Sequence, residues 1–166
     1  MNLSVAYTFE PGIIARLAQF SCVKEVYGKP DRDCIGGGRA AFTLRRSPRS
    51  RLEAAIKEAH AHGIAFNYLI NAANLAGLEQ TRAGQRKIRA LLDRIDRSGA
   101  DGVTVSAPYL LQIVKKNHPR LKTRVGVFAV VLLKTNLCLL ATVLLSNTTP
   151  FTEMLRVLKR LRVLVS

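Results

Sequence analysis

The chain has 166 residues, about one domain's worth, with 48% hydrophobic and 22% charged residues, which excludes a disordered or collagen-like protein. Its formal net charge is +15, an excess that suits polyanionic partners such as RNA, though arginines that merely solvate outward helix faces would give the same balance. Three irregularly spaced cysteines, Cys22, Cys34 and Cys138, form no zinc motif and no even disulfide set, so reduced, mostly buried thiols and a cytoplasmic location are expected. The N-terminus lacks a basic stretch followed by an apolar one, so no secretory signal is expected.

Short apolar runs alternate with longer amphipathic ones. Leu3 to Tyr7 reads as a strand, and Ile13 to Phe20 has helical spacing with Ile13, Ile14, Leu17 and Phe20 on one side. Val23 to Tyr27 is a second strand, followed by the glycine-rich Gly36-Gly37-Gly38-Arg39. Ser47 and Pro48 suit the N-cap and first position of a helix striped by Leu52, Ala55, Ile56 and Ala59. Ile64 to Leu69 is the third strand. The helix from Gly84 to Arg97 turns Ile88, Leu91, Leu92 and Ile95 inward and Arg82, Arg86, Lys87, Arg89, Arg94 and Arg97 outward. Val103 to Val105 is the fourth strand, Pro108 to Lys116 a short helix, and Arg124 to Val131 the fifth strand.

Val125 to Leu145 is apolar enough to raise the question of a membrane span. Lys134, Thr135 and Asn136 interrupt it, and two buried runs separated by that break describe it better, so no membrane span is favoured. Strand, helix, strand, repeated with short loops, means parallel units with right-handed crossovers. A doubly wound sheet and a (β/α) barrel both fit, and the pattern leaves that choice open.

In either architecture ligands bind where strands end. After the third strand come Asn71 and Asn74, after the fourth Ser106 and Tyr109. Three glycines allow close backbone approach to a ligand, and Arg39 adds a fork for carboxylate or phosphate. That run is neither a dinucleotide-binding fingerprint nor a Walker loop, and a flexible turn explains it equally well. Asparagines commonly close turns. Glu10 and Glu25 are the acids expected near the first two strands, and no paired carboxylates, nucleophile elbow or His-Glu-x-x-His motif appears. His60, His62 and His118 are placed at surface or C-terminal helix positions, away from the catalytic face.

The strings Val23–Lys29, Gly36–Ala40, His62–Asn74 and Gly99–Leu111 together resemble the U32 (collagenase-like) peptidase family over about residues 1–130. The resemblance implies an α/β fold, an incomplete TIM-barrel-like (β/α) repeat with parallel strands. It also implies proteolysis or, as in some members, oxygen-independent hydroxylation of RNA bases or ubiquinone precursors. A [4Fe–4S] cluster serves such relatives, but Cys22, Cys34 and Cys138 do not match its ligands, so no cofactor is expected within this chain. Substrate-binding residues are expected at Gly36, Gly37, Gly38, Arg39, Asn67, Asn71 and Tyr109: Arg39 on an anionic group, the asparagines orienting substrate, Tyr109 donating a hydrogen bond or stacking.

Residues 132–145 depart from the family pattern. Likeness resumes near Ser146-Asn147 and in a helix from Phe151 to Arg162, striped by Met154, Leu155, Leu158 and Leu161. A single partial barrel domain over residues 1–166, truncated, is therefore expected, and it should self-associate or take up a second barrel fragment. The competing expectation is a non-catalytic, basic nucleic-acid-binding module.

Overall fold

A computed structural model of the chain describes residues 2–29, 33–36, 50–72, 74–126 and 129. Five strands lie side by side in chain order, all parallel: β1 (Leu3–Ala6), β2 (Val23–Gly28), β3 (Ala65–Ile70), β4 (Gly102–Val105) and β5 (Lys122–Val125). Helices α1 (Ile13–Leu17), α2 (Ser50–Ala61), α3 (Arg82–Arg97) and α4 (Pro108–Asn117) connect them, and a 3-10 turn, Leu78–Gln80, precedes α3. This is an α/β arc of parallel strands with interleaved helices, an incomplete barrel of the TIM type among the described residues.

Register decides which side chains share a face. Val5 pairs with Val26 and Val26 with Phe66; Tyr68 pairs with Val103 and Ile70 with Val105. Except for Val5, which is partly buried, these are core residues, and their face lies under the helices. There α2 contributes Leu52, Ala55, Ile56 and Ala59, α3 Ile88, Leu91, Leu92 and Ile95, and α4 Leu110, Ile113 and Val114, all buried. The amphipathic stripes expected for α2 and α3 are the ones used. Thr81 caps α3, its Oγ1 accepting from Gly84 N at 3.0 Å, which satisfies one of the orphan donors of the first turn.

The opposite face is polar. It carries Ser4 and Glu25, then Tyr27, Asn67 and Lys122, then Thr104 and Arg124. Glu25 Oε1 accepts from Ser4 Oγ at 2.6 Å and from Arg124 Nη1 at 2.6 Å. In a flat sheet, β2 and β5 would stand about 14 Å apart, three strand spacings. An arginine and a glutamate pointing straight out from such a sheet would not meet. The bond is a chord across a concave surface, so this face is the inside of the arc.

Two elements differ from the sequence expectation. The fifth strand lies earlier, at Lys122–Val125, rather than from Arg124 to Val131, because β5 is chosen by ladder bonds and not by apolar content: Lys122 N donates to Asp101 O and Gly126 N to Val105 O. Residues 127, 128 and 130–166 lie outside the described residues, and with them the expected break at 132–145, the helix from Phe151 and Cys138. Helix α1 stops at Leu17, and Phe20, expected on its apolar side, is 59% exposed. His118 takes the C-terminal helix position expected for it. It is buried at the end of α4, with Nδ1 3.1 Å from Asp96 Oδ2. Cys22 and Cys34 are unpaired and half-buried, not buried. The Ser47-Pro48 helix start also lies outside the described residues.

Candidate functional site at the carboxyl rim

The carboxyl ends of the strands build one rim. β1 runs into Tyr7 and Phe9, whose rings meet at 4.6 Å between centroids. Phe9 has φ 59°, a left-handed conformation rare for a side chain of its bulk. Gly28 ends β2 beneath them. A Cβ there would lie 3.1 Å from Tyr7 O, a tight approach that glycine avoids.

Beyond β2 the loop is held by a buried carboxylate. Asp33 Oδ1 accepts from Lys29 Nζ at 2.8 Å and from Ile35 N at 2.9 Å, while Oδ2 accepts from Tyr68 OH at 3.0 Å. Lys29 Nζ also donates to Ile35 O at 2.5 Å. Both charged side chains are nearly sealed from water, 8% and 1% exposed, so each needs the other. Burial, then the neighbouring Asp33 charge and its hydrogen bond, push the Tyr68 hydroxyl far above its ordinary range and keep it a proton donor. This network lies on the helix side of the sheet and fixes the start of the glycine-rich loop. Gly36 consequently stands beside β3's exit: a Cβ added to it would be 3.7 Å from Ala72 Cβ.

Asn71 and Ser106 follow β3 and β4 at equivalent places, and Gly126 follows β5. A Cβ on Gly126 would come 2.8 Å from Ser106 Oγ and 3.3 Å from Asn71 Cβ. The three residues therefore converge on the concave side of the rim. Ser106 is 4% exposed, and its hydroxyl has no hydrogen-bond partner among the described residues. Two layers below, Asn67 is buried and accepts from Thr104 Oγ1 at 3.1 Å.

Of the residues expected to bind substrate, Asn71 stands on this rim beside Ser106, and Gly36 beside Ala72. Asn67 lies deeper on the same concave face. Tyr109 is half-buried in the first turn of α4, packed against the core. Gly37, Gly38 and Arg39 lie outside the described residues. The sequence reading gave no role to Asp33 or Arg124, and named Glu25 without its partner. Asp33 sits four residues after Lys29, a spacing that could have flagged the pair. Glu25 and Arg124 are 99 positions apart and gave no local signal.

Chemically, the rim offers donors and acceptors, without a nucleophile–base pair among the described residues. Among the described residues no histidine or carboxylate is bonded to Ser106, and no three His, Cys, Asp or Glu side chains are grouped to hold a metal ion. Cys22 immediately precedes β2, and Cys34 lies six residues beyond its end. No helix among the described residues is long and apolar enough to cross a membrane.

No family model matches the chain. In sequence it is 33% identical over 94 residues to an uncharacterized protease of Methanocaldococcus jannaschii, a match covering 56% of this chain and 27% of that protein. In structure it resembles a solved U32 peptidase with a TM-score of 0.61 at 15% identity, covering 78% of this chain and 50% of that one. The chain thus spans about a quarter of the curated relative and half of the solved structure. The structural likeness supports the barrel-type fold.

Proposed function

We propose that this relative of the U32 peptidases binds an extended polypeptide across the carboxyl rim of its sheet, as the substrate-holding part of a peptidase-type barrel. The observation that carries the reading is the buried Ser106 hydroxyl, unpartnered among the described residues, beside Asn71 and Gly126 in the layer where barrel enzymes hold ligands. Leaving such a hydroxyl unpaired costs about 1–3 kcal/mol, and a peptide group, carrying both a donor and an acceptor, removes that cost. Ser106 acts here as a binding group and not as a nucleophile, since no base reaches it among the described residues. Asn71 and Asn67 orient the substrate, Arg39 holds an anionic group and Tyr109 donates or stacks, as expected from the resemblance. No step is assigned to the hydroxylation of RNA bases or ubiquinone precursors that the resemblance also implies.

Binding of a gelatin-derived peptide to the whole chain, followed by calorimetry, tests this. Ser106→Ala and Asn71→Ala should each weaken the complex about tenfold, a loss of about 1.4 kcal/mol, with the melting temperature held. Equal affinity in both variants, or no binding at all, removes the reading.

A second reading, a nucleic-acid-binding surface, is favoured by the exposed Arg82, Arg86, Lys87, Arg89 and Arg97 along α3. The acids Asp93 and Asp96 of that helix instead face His118, and Asp96 also pairs with Arg120. Binding to mixed-sequence RNA should then weaken steeply with salt and lose affinity on removing these helix cations. Binding that survives their removal would sink it.

A further inference from the structure

We infer that Arg124, clamped by Glu25 on the concave face, anchors a binding site for a small oxyanion with two coplanar oxygens, a carboxylate or a phosphate. The site follows from side-chain geometry alone and stands whether or not the rim takes a polypeptide. Three observations lead to it.

The first is the asymmetry of the pair. Glu25 is 12% exposed at its side chain and Arg124 53% exposed. An arginine present only to neutralise a core carboxylate would be sealed with it. Here one nitrogen, Nη1, is spent on Glu25 Oε1, and that oxygen is itself held by Ser4 Oγ, so the guanidinium is fixed in place from below. Its other N–H donors have no partner among the described residues and stay accessible. A guanidinium presents five donors in a rigid fork suited to paired oxygens, and orienting it beforehand removes entropy that binding would otherwise lose.

The second is local charge. Lys122 stands on the same strand and the same face, and it is exposed. With two cations against one carboxylate, the patch stays positive after Glu25 is neutralised, so an incoming anion meets net attraction.

The third is position. Arg124 is in register with Thr104, and Thr104 with Leu69, one layer below Asn71, Ser106 and Gly126. An oxyanion on Arg124 therefore lies just inside the rim, against the half-buried Leu69 and within the concavity.

The test is a titration of the whole chain with acetate and, separately, inorganic phosphate, reading the Nε–Hε cross-peaks of its arginines by NMR. The Arg124 signal is identified by its loss in Arg124→Lys. A saturable shift of that signal with acetate assigns a carboxylate ligand, and one with phosphate assigns a phosphate ligand. In either case Lys122→Gln, an exposed change that leaves the fold intact, should weaken the same anion several-fold. If Arg124 stays still while other arginines respond, or if Lys122→Gln leaves its titration unchanged, the site is overturned and the pair is a core ion pair only.

Discussion

Asp33 shows how much one buried carboxylate organises. It accepts from an ammonium, a backbone amide and a phenol, and those donors come from the loop and from β3. Asp33→Ala should cost about 3–5 kcal/mol, because it strands the Lys29 charge in an apolar place. Tyr68→Phe, which removes one neutral donor, should cost only about 1 kcal/mol. Denaturant unfolding of the two variants checks the order, and similar losses would mean that Lys29 finds water once its partner is gone. Gly84 is a second decisive residue. Helix propensity alone makes Gly84→Ala favourable by about 1 kcal/mol. The new Cβ, however, would fall 2.1 Å from the Leu78 carbonyl oxygen, where the 3-10 turn leans on α3. The backbone must shift, so the substitution should instead destabilise by about 1–3 kcal/mol, read as a lowered melting temperature.

Among the elements, α3 is fastened at both ends. Thr81 holds its start, and Asp96 near its end receives His118 Nδ1 at 3.1 Å and Arg120 Nε at 2.9 Å. The His118 hydrogen bond first, and Arg120 after it, hold the Asp96 carboxyl below its ordinary value of 3.8. A carboxyl depressed in the folded state stabilises only while it is ionised. Its contribution is complete above that ordinary value and is lost as pH falls through the depressed native one. The melting temperature should therefore drop as pH falls below about 4, and Asp96→Asn should flatten that part of the curve. An unchanged acid limb in the variant would assign the effect to other carboxylates. Helices such as α3 were legible in the sequence because their buried face is wholly apolar and recurs every three or four residues. Strand β5 was misplaced for the converse reason. Lys122, Thr123 and Arg124 put polar side chains into a polar concavity, while the apolar run from Val125 onward looked more like a strand. At the rim, Asn71 could be found because ligand sites follow strand ends. Asp33 was only half legible: its spacing from Lys29 marks the pair, but Tyr68, which completes the network, lies 35 positions away.

For the whole molecule, the Glu25–Arg124 chord is the observation that turns five parallel strands into an arc. The pair is half in water, so its worth lies between that of a surface bridge and a buried one. A double-mutant cycle with Glu25→Gln and Arg124→Met should give a coupling of about 1 kcal/mol. A value indistinguishable from zero would say that β2 and β5 do not close on each other in solution, and that the sheet is flatter than described.

The sheet order, with each strand beside its predecessor, bears on how the chain assembles. Every new unit meets an edge laid down by the unit before it, so synthesis and docking can proceed in the same direction. Loop closure then stays local, since no strand waits for a partner made much later. The chord is the exception: it joins positions 25 and 124, and forms only once β5 has arrived, as a late latch on a stack already built.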